Sequence, residues 1–213
     1  MASSRLSAVF SKLAVLLCFI SPAVMAVADI LTISLNRSSN PLEQSISGYA
    51  AGPYGWLEKT GIVMIGFTFL FIAVNALVAK NKKELNGLRL VGGLLVIVGI
   101  GFLMLSIFNT NVFGTLMSFH GLIHQFTSAS VSIVFYIACL VVMRLMINEA
   151  GLRYYAIYSG LTFLVGLVVL TLLFFKIHHN NYMGLMERMI AGFNLVWIVL
   201  VCPQLIKLAR ALQ

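Results

Sequence analysis

Long apolar runs separated by short polar stretches dominate the chain. Residues 90–108 and 156–175 are 19 and 20 residues long and hold no charged side chain. At 1.5 Å of rise per residue, each is long enough as a helix to cross the hydrocarbon core of a bilayer. The runs are continuous rather than alternating, which selects helices over a membrane barrel, whose strands carry polar residues at every second position. The same pattern predicts six spans, at about 12–33, 57–79, 90–108, 122–147, 155–175 and 189–206. The expected fold is therefore all-α, a polytopic bundle of six transmembrane helices forming one domain over residues 1–213.

Composition supports this reading. Hydrophobic residues make up 61% of the 213 positions and charged residues only 9%, too little polar surface to coat a soluble globule of this size. The net charge of +8 does not indicate nucleic acid, because the basic residues lie at span ends and form no long cluster with interleaved aromatics. Cys18, Cys139 and Cys202 all fall inside apolar runs and read as small buried hydrophobes. They form no disulfide framework and no metal-binding pair.

Lys and Arg collect on the cytoplasmic side of membrane proteins. With the N-terminus inside, Arg5, Lys12, Lys80, Lys82, Lys83, Arg89, Arg144, Arg153, Lys207 and Arg210 are cytoplasmic, and Arg37, Lys59, Lys176 and Arg188 are not. Ten against four places both termini in the cytoplasm, and the expected location is a bacterial cytoplasmic membrane. The first segment has a second reading. Arg5, Lys12, the core 13–20 and Val24-Met25-Ala26 also resemble a cleaved signal peptide. Apolar character resumes through Ile30-Leu31-Thr32-Ile33, interrupted by Asp29, and this favours an anchoring span.

The exoplasmic connections hold or border the reactive side chains, including all four histidines. His120 and His124 open span four at a spacing that puts both imidazoles on one helix face. Such a pair can ligate a metal, hold an anionic head group or shuttle a proton, or it can be an ordinary hydrogen-bonded pair at the interface. Gly121 stands where a zinc protease has its glutamate, which removes that reaction's base. Glu187 and Arg188 open span six, and neighbours in a helix do not face each other, so each needs a partner elsewhere. Glu187 is expected to meet His120 or His124, and Arg188 a lipid phosphate or Glu58. His178 and His179 read as a solvated loop. Asn75, Asn194 and the glycines at 92, 93, 99, 101, 160 and 166 read as helix-to-helix contacts. Pro203 should kink or end span six.

Four landmarks carry a family resemblance: Ile46-Ser47 with Gly55-Trp56, the Phe108-Asn109-Thr110-Asn111 turn, His120-Gly121-Leu122-Ile123-His124, and Gly184-Leu185-Met186-Glu187-Arg188. By these the chain resembles the bacterial and archaeal integral membrane proteins of the domain-of-unknown-function 998 family. Its turn after span three departs from that family's usual proline and acidic residues. The resemblance implies about six helices and supplies no activity.

The residues favour a module that binds or senses a lipid head group or small amphiphile at an exoplasmic pocket built from spans two, four and six. The expected ligand-binding set is His120, His124, Glu187, Arg188, Trp56 and Asn109, with His120 and His124 as the candidate metal ligands. A metal-dependent enzyme acting on a lipid and a small transporter are the alternatives. The first needs a third ligand, and the second is weakened by few intramembrane charges and no internal repeat. Membrane lipids are the expected partners, and no nucleic acid. The sequence assigns no cofactor and no oligomeric state. Haem would need histidines on facing helices.

Overall fold

A computed structural model describes residues 2–78, 85–111, 116–175 and 182–211. Among them the elements are all helical: α1 (Ala2–Leu35), α2 (Ile46–Ala50), α3 (Gly55–Leu77), α4 (Leu85–Ile107), α5 (Phe119–Met146), α6 (Arg153–Phe175), α7 (Met183–Leu200) and α8 (Cys202–Ala211). Six stretches among the described residues are long and apolar enough to cross a membrane, the last being α7 and α8 together. They match the predicted spans in number and order. Span one begins further toward the N-terminus, and span six opens at Met183, one to two turns earlier than its hydropathy alone suggests.

Each span packs on the next, and α7 packs back on α1, so the six form a closed ring in chain order. α1 and α3 are antiparallel and meet at a series of small or polar positions. Ser11 Oγ donates to Asn75 Oδ1 at 2.6 Å, and Thr68 Oγ1 donates to Ser21 Oγ at 2.8 Å. Further along, Gly61 lies against Met25, with no room there for a side chain. Between α3 and α4, Gly66 and Gly99 each lie against the other's carbonyl, and Gly166 of α6 accommodates the Tyr136 ring. Without water to drive apolar burial, such close backbone approach is what holds membrane helices together. Gly93, by contrast, faces open space and takes no part.

Span six breaks at Val201. Pro203 has no N–H to offer the carbonyl one turn back and its ring crowds that carbonyl, so α7 ends there and α8 begins at Cys202. α8 then crosses to α1 and α3, burying Leu205, Ile206 and Ala209. This fills the ring at the Lys/Arg-rich end. Cys18, Cys139 and Cys202 are all buried there as free thiols. At the opposite end, where residues 36–54, 108–111 and 116–118 lie, the interior is not filled.

Candidate functional site

That unfilled interior is a cavity of about 490 Å³ walled by every span of the ring, within the size range of small-molecule sites. Its floor is aromatic. Phe69, Phe102 and Phe135 line it, with Phe69 at 5.7 Å from each of the other two rings. Trp197 closes the layer beneath, edge-on to Phe135 at 5.2 Å. The Trp197 indole donates to Ser159 Oγ at 2.8 Å, and Ser159 Oγ donates to the Cys139 carbonyl, which ties α5, α6 and α7 together below the cavity. Higher up the lining turns polar, with Ser47, Thr110, His124, Gln125, Ser128 and Glu187. α5 and α7 face one another across this space without packing along each other.

Local sequence builds the rim. Ser118 caps α5, its hydroxyl accepting from the Gly121 amide at 3.0 Å while donating to Asn111 Oδ1 at 2.6 Å. Asn111 Oδ1 also accepts from the Ser118 amide, so the turn after span three holds the start of span four. Gly121 is required because a side chain there would overlap the Asn111 amide. Ser45 caps the short α2, accepting from Gly48 N at 2.9 Å. α2 packs on α3 and touches α1 and α7, covering the ring end beside the cavity.

Arg188 anchors this cover. Its Nε and Nη2 donate to Asp29 Oδ2 and Oδ1 at 2.9 and 2.8 Å, a paired contact with α1. Nη1 donates to the carbonyls of Pro41, Gln44 and Gly184, and the guanidinium lies 5.4 Å from the centre of the Tyr49 ring. Gly184 is required here for close approach, since a side chain would strike the Pro41 and Gln44 carbonyls. The partner of Arg188 is thus Asp29, not the lipid phosphate or Glu58 that the sequence suggested. Asp29 looked like an interruption of span one. An acid inside one span and an arginine opening another at the same end was the available signal.

Glu58 is 0% exposed, with no hydrogen bond to either carboxyl oxygen, and it lies beside Asp29. The Glu187 carboxyl lies against Ile46 and Ser47 of α2 rather than bonding a histidine. Its Oε2 is buried without a hydrogen-bond partner, as are Asn194 Oδ1 and the Tyr136 hydroxyl. Asn75 holds two helices as expected, through Ser11 and its own bond to the Phe71 carbonyl.

The six expected ligand residues are placed unevenly. His124 and Glu187 line the cavity. His124 is buried, with Nδ1 2.7 Å from the Phe108 carbonyl, and His120 is exposed with its ring against Phe108 at 5.3 Å. Arg188 lies in the cover beside the cavity. Trp56, 64% exposed, and Asn109 face outward, while Thr110 and Asn111, next in the same turn, line the cavity. Among the described residues no three His, Cys, Asp or Glu side chains are grouped to hold a metal ion. His178 and His179 lie outside the described residues.

Fold and composition together define a multi-pass α-helical membrane protein. Within that class the chain belongs to the family described as Protein of unknown function (DUF998), whose model matches residues 9–203. No curated protein matches the chain, and no solved structure does.

Proposed function

We propose that this protein binds or senses a small amphiphile or lipid head group in the cavity between α5 and α7. The observation that carries this reading is a single space with an aromatic, apolar floor and a polar rim. An amphiphile satisfies both halves at once: its tail fills the floor, and its head meets His124, Glu187 and the α5 hydroxyls. The Lys/Arg distribution supports an orientation with both termini inside and the rim on the outer side, and a bacterial cytoplasmic membrane is part of the same proposal. A ligand would then enter from the outer leaflet or the outer solution.

Filling the cavity tests this. Ala191 lines it with a single methyl group, so Ala191→Trp occupies the space a ligand needs. Leu164→Trp, on the exposed face of α6, is the control. Amphiphiles that co-purify with the protein, quantified by mass spectrometry, fall severalfold in Ala191→Trp and stay at the wild-type level in Leu164→Trp. Equal amounts in all three proteins would overturn the reading.

A further inference from the structure

We propose that the ligand carries a protonated primary amine at its polar end and that Glu187 receives it. This names the ligand class of the amphiphile-binding reading and rests on that reading.

The argument is an inventory of donors and acceptors. Among the described residues that line the cavity, Glu187 is the sole acid, and none is Lys or Arg. The adjacent cation, Arg188, spends its guanidinium on Asp29 and three carbonyls. As the next residue in the same helix it does not face Glu187. Glu187 Oε2 is buried and unpartnered. The Ile46 and Ser47 amides and the Ser47 hydroxyl of α2 lie within hydrogen-bonding reach of the carboxyl, but they carry no charge, so a carboxylate at membrane depth gains further from a cation brought to its open oxygen.

The other polar groups agree. The Phe108 carbonyl can only accept, so His124 Nδ1 carries the hydrogen in their 2.7 Å bond. The neutral ring then offers Nε2 as an acceptor. Glu187 and His124 Nε2 accept from two of the three N–H donors of an ammonium group, and Gln125 or Ser128 of the same polar lining can accept from the third. A phosphate or carboxylate head brings more acceptors and a like charge. A quaternary ammonium brings the charge without N–H donors, and an alcohol brings one donor without the charge. The cavity's size fits one short chain.

Four probes with the same tail separate these cases: decylamine, decyltrimethylammonium, decyl phosphate and decanol. Each is added to the full chain in phosphatidylcholine nanodiscs, and thermal unfolding is followed for wild type, Glu187→Gln and Ala191→Trp. Decylamine is expected to raise the melting temperature of wild type at a concentration roughly tenfold lower than the other three require, the effect of one charge-assisted contact. Glu187→Gln brings decylamine to the level of decanol, and Ala191→Trp removes the response to all four. A wild-type response to decyl phosphate, decyltrimethylammonium or decanol equal to that for decylamine overturns the ammonium assignment while leaving amphiphile binding standing. An undiminished decylamine response in Glu187→Gln does the same. If no probe shifts wild type more than Ala191→Trp, the amphiphile reading fails and the ammonium assignment fails with it.

Discussion

Arg188 donates five hydrogen bonds, two to Asp29 and one each to the carbonyls of Pro41, Gln44 and Gly184. Removing the guanidinium strands a half-buried carboxylate and two loop carbonyls at once, so Arg188→Met should cost about 3 kcal/mol of stability. Adding Asp29→Leu relieves the stranded charge but not the carbonyls, so the double variant recovers only part of the loss. Glu58 predicts no such loss. Burial and the neighbouring Asp29 both disfavour a second charge there, so Glu58→Gln, a neutral group that keeps a donor toward Asp29, leaves the melting temperature close to the wild-type value. Denaturation of the three variants in one detergent checks all three outcomes. A stable Arg188→Met would show that the ion pair does not hold the α2 cover. The sequence marked Arg188 and Glu187 as needing partners because charge near hydrocarbon demands them. It could not choose the partners, since Asp29 and Arg188 are 159 positions apart and no local periodicity relates them. The Asn109-Thr110-Asn111 turn shows the same limit at short range. The turn is visible in the sequence, but which of its amides faces inward depends on the helix it caps.

At the scale of elements, the antiparallel seam between α1 and α3 explains why an apparently polar first segment belongs to the bundle. Ser11, Ser21 and Asp29 each meet a residue of α3, at Asn75, Thr68 and Glu58. Each hydrogen bond of this kind contributes on the order of 0.6 kcal/mol in a membrane. The register is checkable. With the three native cysteines replaced by serine, Ser21→Cys with Thr68→Cys should cross-link under mild oxidation, because the native hydroxyl oxygens are 2.8 Å apart. Ser21→Cys with Ser132→Cys, on helices that are not neighbours in the ring, should not. The reverse result contradicts the ring order. Span number was legible because hydrocarbon forces long apolar runs, and the break in span six was legible because Pro203 cannot continue a helix without disruption. The role of Trp197 was not. A tryptophan in mid-span differs from the interfacial belt where the residue is enriched, but only the structure shows it buried under the aromatic floor.

For the whole molecule, a ring of six helices has to fill its centre, and this one does so unevenly. α8 and the layer around Trp197 occupy one end, whereas at the other the side chains of α5 and α7 stop short of each other and leave the cavity. Dense packing is the rule in protein interiors, and a space of this size with unpartnered polar atoms beside it is what the proposed ligand would fill. The outward-facing Trp56, Asn109 and His120 belong to the end of the bundle that holds this space, so grouping them by sequence gathers residues of that end while leaving out lining residues such as Ser47, Thr110 and Asn111. The most direct test of the cavity is an experimental density map of the protein in nanodiscs made from its native membrane lipids. Elongated non-protein density between α5 and α7, with its polar end at Glu187 and His124 and its tail over Phe69 and Phe135, is the result predicted. Side chains of α5 and α7 in mutual contact, with the space closed and no density in it, would contradict the account.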